Sequence, residues 1–351
     1  MLPPLPERPR HTGKAEKARG RGRDYGVLRW DEFFEDKLQL TIDERTFNVY
    51  RKGSGPLVFF LLHGGGYSGL TWACFAEEIT RLLDCTVIAP DLRGHGDTLT
   101  DDDTDLSVDT QCKDIGDIAK RLLGDEQTST FLVGHSMGGA LAVHAAQRQL
   151  FSRLVALMVI DVVEGSAMEA LRSMQNYLHS RPAYFDSVEN AVQWCIRSGT
   201  VRNLRSVRVS MPSQIRLTDA SHLPPQDRSL LLAEEESADA QSEQSPSAVY
   251  TWRIDLSKSE PYWKGWFEGL SALFLGVSAP KLLLLAGVDR LDKDLTVGQM
   301  QGKFQMLVLP KVGHAVQEDS PDRVADAVAT FCVRHKLAEA KTSFKPVYPG
   351  C

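Results

Sequence analysis

Gly134-His135-Ser136-Met137-Gly138-Gly139 follows the apolar run Phe131-Leu132-Val133 and precedes a stretch of helical periodicity. A serine hydroxyl is a weak nucleophile until a sharp strand-to-helix turn lifts it clear of the sheet and a neighbouring base takes its proton. The G-x-S-x-G spacing around Ser136 predicts such a turn. A Cβ at Gly134 or Gly138 would strike neighbouring backbone, and the helix beyond would direct its positive end at the hydroxyl.

The partners that this chemistry demands are also legible. His63-Gly64-Gly65-Gly66 comes just after the apolar run 57–62, where glycines leave backbone N–H groups free. One N–H from Gly65 or Gly66, joined by that of Met137, would stabilise the negative oxygen of a tetrahedral intermediate, each donor being worth about 10²–10³ in rate. The loop is not a phosphate cradle, because no GK[ST] follows it. Of the nine histidines, only His314, in Val312-Gly313-His314-Ala315, lies on a loop beyond the last apolar run, where the general base belongs. The six at 63, 95, 135, 144, 179 and 222 fall in the glycine loop, helices or insertion and read as structural. Two aspartates end predicted strands, Asp161 in Val159-Ile160-Asp161-Val162 and Asp289 in Ala286-Gly287-Val288-Asp289. Either reaches the histidine, and the residues alone leave the acid open. The reaction so assembled needs no metal and no organic cofactor.

Short apolar runs alternate with amphipathic segments to hold these residues in place. Residues 38–50 alternate as a hairpin does; 57–62, 86–89, 130–133, 154–160, 281–286 and 305–309 read as strands, and 71–83, 111–123, 138–148 and 321–336 as helices. That rhythm predicts an α/β fold of the α/β-hydrolase type, with a mostly parallel central sheet flanked by helices. It stops after Glu164. The expected division is a basic arm over 1–24, a first core segment over 25–164, a helical lid over 165–278 inserted between strands 6 and 7, and a second core segment over 279–351. Within the lid, the acidic, Ser-rich stretch 233–248 reads as a flexible loop. Trp252, Tyr262, Trp263, Trp266 and Phe267 crowd together there and read as lid core first and substrate wall second.

Composition narrows the partners. Forty basic and 46 acidic residues give −6, which favours neither nucleic acid nor an anionic membrane. No run of about 18 apolar residues exists to span a bilayer. Six cysteines carry no metal-ligand spacing and read as thiols of a reducing compartment. The first 23 residues hold seven Lys/Arg against two Glu, unlike a secretory leader, and Lys14 to Arg23 offers a nuclear-import address. The expected location is cytoplasmic or nuclear, not secreted.

Longer stretches carry a resemblance. LLHGGGYSGLTWACF, VGHSMGGALAVHAA, IDVVEGSAMEALRSMQNYL, TWRIDLSKSEPYWKGWFEGLSALFL, PKLLLLAGVDRLDKDLTVGQMQGKFQM and the closing GHAVQED with its Pro-Gly-Cys end resemble the protein phosphatase methylesterases, from about Tyr25 to Cys351. The resemblance implies an esterase that removes the methyl group from the C-terminal leucine of the protein phosphatase 2A catalytic subunit, its substrate and binding partner. It implies the triad Ser136, Asp161 and His314, with Asp289 left structural, and a site that assembles when the phosphatase docks. The acidic tract is shorter and richer in serine than in vertebrate members, and the basic arm differs in length. A small-molecule carboxylesterase or lipase of the same fold, and a phosphatase-binding module with secondary catalysis, are the competing readings.

Overall fold

The computed structural model describes residues 23–124, 128–222, 248–287, 291–341 and Phe344. Most of the basic arm, the acidic stretch 233–247, Asp289 and Cys351 lie outside the described residues.

The central sheet has eight strands in the order β1-β2-β4-β3-β5-β6-β10-β11. Strands β1 (Asp36–Ile42) and β2 (Arg45–Lys52) form the expected hairpin, and β2 runs antiparallel to β4 (Cys85–Pro90). All other neighbours are parallel: β3 (Leu57–Leu62), β5 (Thr130–His135), β6 (Leu154–Ile160), β10 (Lys281–Leu285) and β11 (Gln305–Val308).

Strand β3, LVFFLL, is buried at every position because helices cover both faces of the sheet. Its side chains alternate between two cores. Phe59 and Leu61 join Phe75 and Ile79 of α1 (Ala73–Leu82) and Val324, Val328 and Phe331 of α11 (Pro321–Arg334). Val58, Phe60 and Leu62 face α2 (Val108–Leu123) and α3 (Met137–Gln147) through Ile115, Ile118 and Leu141. Each such side chain, wholly buried, contributes about 2 kcal/mol of apolar transfer free energy.

The insertion leaves the sheet after β6 and returns at β10. It carries α4 (Glu164–His179), β7 (Tyr184–Phe185), α5 (Val188–Ser198), α6 (Leu204–Ser210), β8 (Ile215–Asp219), β9 (Ala248–Trp252), α7 (Glu260–Phe267) and α8 (Leu270–Gly276). Local signals set several boundaries: Ser187 caps α5 by accepting from Asn190 N–H, and Gly199 closes it at φ 73°. Besides the expected helices, β7, β9 and β8 make a small antiparallel sheet. The lid has its own core of Phe185, Val192, Cys195, Val207, Met211 and Ile215. The remaining described α-helices are α9 (Lys293–Met300) and the short α10 (Val316–Asp319).

Candidate active site

Strand β5 runs into Ser136 at φ 52° and ψ −120°, and α3 begins at the next residue. A non-glycine residue in that region costs on the order of 1–3 kcal/mol and persists only where its surroundings over-determine it. Here they do. Ser136 N–H donates to Ile160 O (3.0 Å), while Ser136 O accepts from Gly139 N–H (2.8 Å) and Ala140 N–H (3.1 Å). A Cβ on Gly134 would lie 2.1 Å from Gly138 O, and one on Gly138 would lie 2.4 Å from both Leu62 O and His63 O. The two glycines let the helix start against the end of β3.

Met137 heads α3, where the first N–H groups have no intrahelical acceptor. The facing glycine loop is fixed by two buried histidines. His63 donates from Nδ1 to Gly64 O (2.8 Å) and accepts Leu92 N–H at Nε2 (2.9 Å). His95 donates from Nδ1 to Arg93 O (2.8 Å) and accepts Gly66 N–H at Nε2 (2.9 Å). Burial pushes both imidazoles down, His95 to about 4 and His63 well below its ordinary range, so each stays neutral and keeps the acceptor nitrogen this pattern needs. Of the two glycines singled out as oxyanion donors, Gly66 has its N–H engaged by His95, which leaves Gly65. The sequence marked His63 and His95 as structural but gave no sign that they hold this loop.

Asp161 follows β6 at φ 50°, with its N–H still in the ladder to Leu284 O (2.8 Å). Its Oδ2 accepts from His314 Nδ1 at 2.7 Å and its Oδ1 from Ala286 N–H at 2.9 Å. The Asp161 side chain is 0% exposed, whereas that of His314 is 47% exposed. A buried carboxylate thus binds the inner imidazole nitrogen and turns Nε2 outward. His135 donates from Nε2 to His314 O (2.9 Å) and lies 4.8 Å from the His314 ring, centroid to centroid. Burial, then the neighbouring His314, pushes His135 down to about 3, so it is a neutral support and not a second base. The more distant histidines take the structural parts expected of them: His144 donates to Trp266 O (3.2 Å) and His179 to Gln175 O (2.7 Å).

Ser136, Met137, Gly65, Gly66 and His314 line one cavity, closed by the lid, that holds about 890 Å³ of space counting its open mouth. Ser136 Oγ and His314 form no hydrogen bond to each other in this structure. Catalytic hydrogen bonds of this kind commonly tighten only when substrate binds. Trp263, Trp266 and Phe267 are all buried in the core shared with α2 and α3, not in the lid's separate core, and also face the cavity, so they seat the insertion on the sheet's helices and wall the site.

A profile of the alpha/beta hydrolase family matches residues 59–327. The chain is 55% identical over 325 residues to the probable protein phosphatase methylesterase 1 of Caenorhabditis elegans, covering 92% of this chain and 82% of that protein. It is 48% identical over 374 positions to protein phosphatase methylesterase 1 of Mus musculus, covering 100% of this chain and 97% of that one. The chain belongs to the protein phosphatase methylesterase family. It is therefore a hydrolase of carboxylic esters. Among solved structures, E-2-(acetamidomethylene)succinate hydrolase matches with a TM-score of 0.64 at 20% identity, covering 85% of this chain and 99% of that one, which bears on the fold alone.

In this methylesterase-family chain the loop of His314 is tied to the lid by residues that drew no notice in the sequence. Glu318, four positions after His314, is wholly buried. Its carboxyl accepts from Thr71 Oγ (2.5 Å), beyond the glycine loop, and from Ser210 Oγ (2.8 Å) of α6, and its backbone carbonyl accepts from Ser206 Oγ (2.8 Å). Asp319 accepts from Gly313 N–H (2.5 Å) and from Arg202 N–H (2.7 Å) of the lid. Two adjacent acids late in a chain read as surface, and only the fold buries them.

Desolvation raises the Glu318 carboxyl from an ordinary 4.5 to about 7. The folded chain holds this proton more tightly than the unfolded chain does. The group imposes no penalty below about 4.5, and stability declines as pH rises through about 7, by on the order of 3 kcal/mol in all. Urea midpoints of a Glu318→Gln chain at pH 5 and pH 8 are expected to show that decline removed, with the variant gaining on the parent at pH 8. An equal pH slope in the two chains would place the titration elsewhere.

Proposed function

We propose that this chain demethylates the C-terminal leucine methyl ester of the protein phosphatase 2A catalytic subunit and releases methanol. The observation that carries the reading is the 2.7 Å bond from His314 Nδ1 to a fully buried Asp161, in the cavity that also presents Ser136. Names of full-length relatives supply the substrate class.

In this mechanism Ser136 Oγ attacks the ester carbonyl carbon as His314 Nε2 takes its proton. The carbonyl oxygen becomes negative and is received by the N–H groups of Met137 and Gly65. Collapse breaks the bond to the methoxy oxygen, which leaves as methanol with the proton from His314. Water, deprotonated in turn by His314, attacks the acyl-enzyme and frees the leucine carboxylate and Ser136. Asp161 keeps the proton on Nδ1 and stabilises the imidazolium. Ser136 and His314 must close on each other for the first step, and docking of the phosphatase is the event to which we assign that closure. The five described cysteines are free and buried, in keeping with action in the cytoplasm or nucleus. No helix among the described residues is long and apolar enough to cross a membrane.

A methyl group offers little to recognise, since one buried CH₂ is worth about 0.8 kcal/mol. Discrimination must come from the rest of the substrate. The methylated phosphatase is therefore expected to exceed a short methylated tail peptide in kcat/KM by about 10² or more, and p-nitrophenyl acetate by a wider margin. Equal values for the phosphatase and the peptide would remove the docking contribution. A preference for the nitrophenyl ester would make the chain a general esterase.

A further inference from the structure

One cation in the catalytic cavity has no anion among the described residues. Arg181 follows α4 and lines the same cavity as Ser136 and His314. Its guanidinium carbon lies 4.2 Å from the centroid of Trp252, and Trp252 Nε1 donates to the carbonyl of the next residue, Pro182, at 2.7 Å. One indole therefore grips both the side chain and its backbone.

What the guanidinium lacks is an acceptor. Arg181 Nε is buried without a hydrogen-bond partner, and no carboxylate lies within ion-pair distance of the group among the described residues. The groups that act on it electrostatically are Tyr177, Tyr67 and, last, the carboxylate of Asp255, which is engaged by Ser257 N–H (3.1 Å), by Ser257 Oγ (2.6 Å) and by Lys258 Nζ at 3.8 Å. The two buried arginines among the described residues differ from this half-buried one. Arg45 and Arg93 share Asp114, at 2.6 Å and 2.7 Å. Burial pushes the Arg181 pKa down, yet a guanidinium does not deprotonate in a protein, so the charge remains and is poorly solvated.

We propose that Arg181 is a specificity residue, whose guanidinium receives the carboxylate of an acidic side chain in the substrate segment just N-terminal to the methylated residue. The inference rests on the methylesterase reading above. The ester is neutral, and its carbonyl oxygen belongs to the N–H groups of Met137 and Gly65. A neutral carbonyl from the substrate backbone would leave the charge uncompensated, whereas a carboxylate matches both the charge and the planar fork. Stacking on Trp252 holds the fork in place beforehand, which lowers the ordering cost of the new pair.

The test uses the full-length chain and six-residue peptides ending in leucine methyl ester. One series is neutral throughout, and the others carry a single Asp or its isostere Asn at each upstream position in turn. Expected is one position at which Asp exceeds Asn by about tenfold or more in kcat/KM, the range of a charge-assisted hydrogen bond. That ratio is expected to fall within about twofold in Arg181→Met and to recover in part in Arg181→Lys. Because it compares two substrates on one protein, it cancels any general loss of folding or of triad geometry. A ratio near one at every position, with the neutral esters still hydrolysed, would overturn the role of Arg181 and leave the methylesterase reading standing. An Asp preference of equal size in the parent and in Arg181→Met would also overturn it, placing the recognition elsewhere. Failure to demethylate the intact methylated phosphatase, assayed alongside the peptides, with turnover of p-nitrophenyl acetate retained, would defeat the methylesterase reading and this inference with it.

Discussion

A Ser136→Ala chain is expected to release methanol from the methylated substrate on the order of 10⁶-fold more slowly than the parent, with its fold intact. The alanine keeps the backbone of the turn, since the bonds to Ile160 O, Gly139 N–H and Ala140 N–H involve no side-chain atom. What disappears is the oxygen to which the proposed mechanism assigns the acyl group. A residual rate of about 10³–10⁴ over uncatalysed hydrolysis should survive through the N–H donors and substrate positioning. Methanol release and labelling by a fluorophosphonate probe are the two measurements. Retained labelling at any other residue of the alanine chain, or a loss of less than tenfold, would refute the assignment of the nucleophile.

Asp161→Asn should cost about 10⁴ in kcat through a change of proton location, not through collapse. At present Asp161 Oδ2 accepts from His314 Nδ1 and Oδ1 from Ala286 N–H. The asparagine oxygen can still serve Ala286, which turns the amide NH₂ toward the imidazole. His314 then holds its proton on Nε2, where it can no longer accept from Ser136. The companion change is Asp289→Asn, at a position outside the described residues. It should leave kcat within about tenfold of the parent, and the reverse pattern would move the acid to Asp289. Thermal unfolding of both variants separates a lost tautomer from a lost fold.

The contrast between nucleophile and acid explains what could be read in advance. The turn at Ser136 announces itself within six residues, because glycines, serine and the flanking apolar run all serve one local geometry. His314 was marked out by its place after the last strand, and the fold sets it in the same cavity as Ser136. The acid was not, and the sheet shows why: β6 and β10 are parallel neighbours, with Ile160 paired to Leu284, so the chain leaves both strands at the same edge of the site. Only the family resemblance favoured Asp161, and the bond to His314 agrees with it. The lid sheet escaped notice because β7 is two residues long and β8 meets β9 across a long excursion of chain. Gly65 and Gly66 looked equivalent until His95, from another loop, was seen to engage one of them. In each case the missing information was a contact distant in sequence between residues that look ordinary in isolation.

Glu318 joins the roof of the cavity to the floor on which the imidazole sits. Prising the roof upward would drag the imidazole away from the serine. A bulky guest gains nothing by forcing the chamber wide, and the productive route is to thread a slender end through the standing mouth. A free polypeptide terminus satisfies that demand with a single strand, whereas an ester on a side chain in mid-sequence would bring two strands of polymer to the opening.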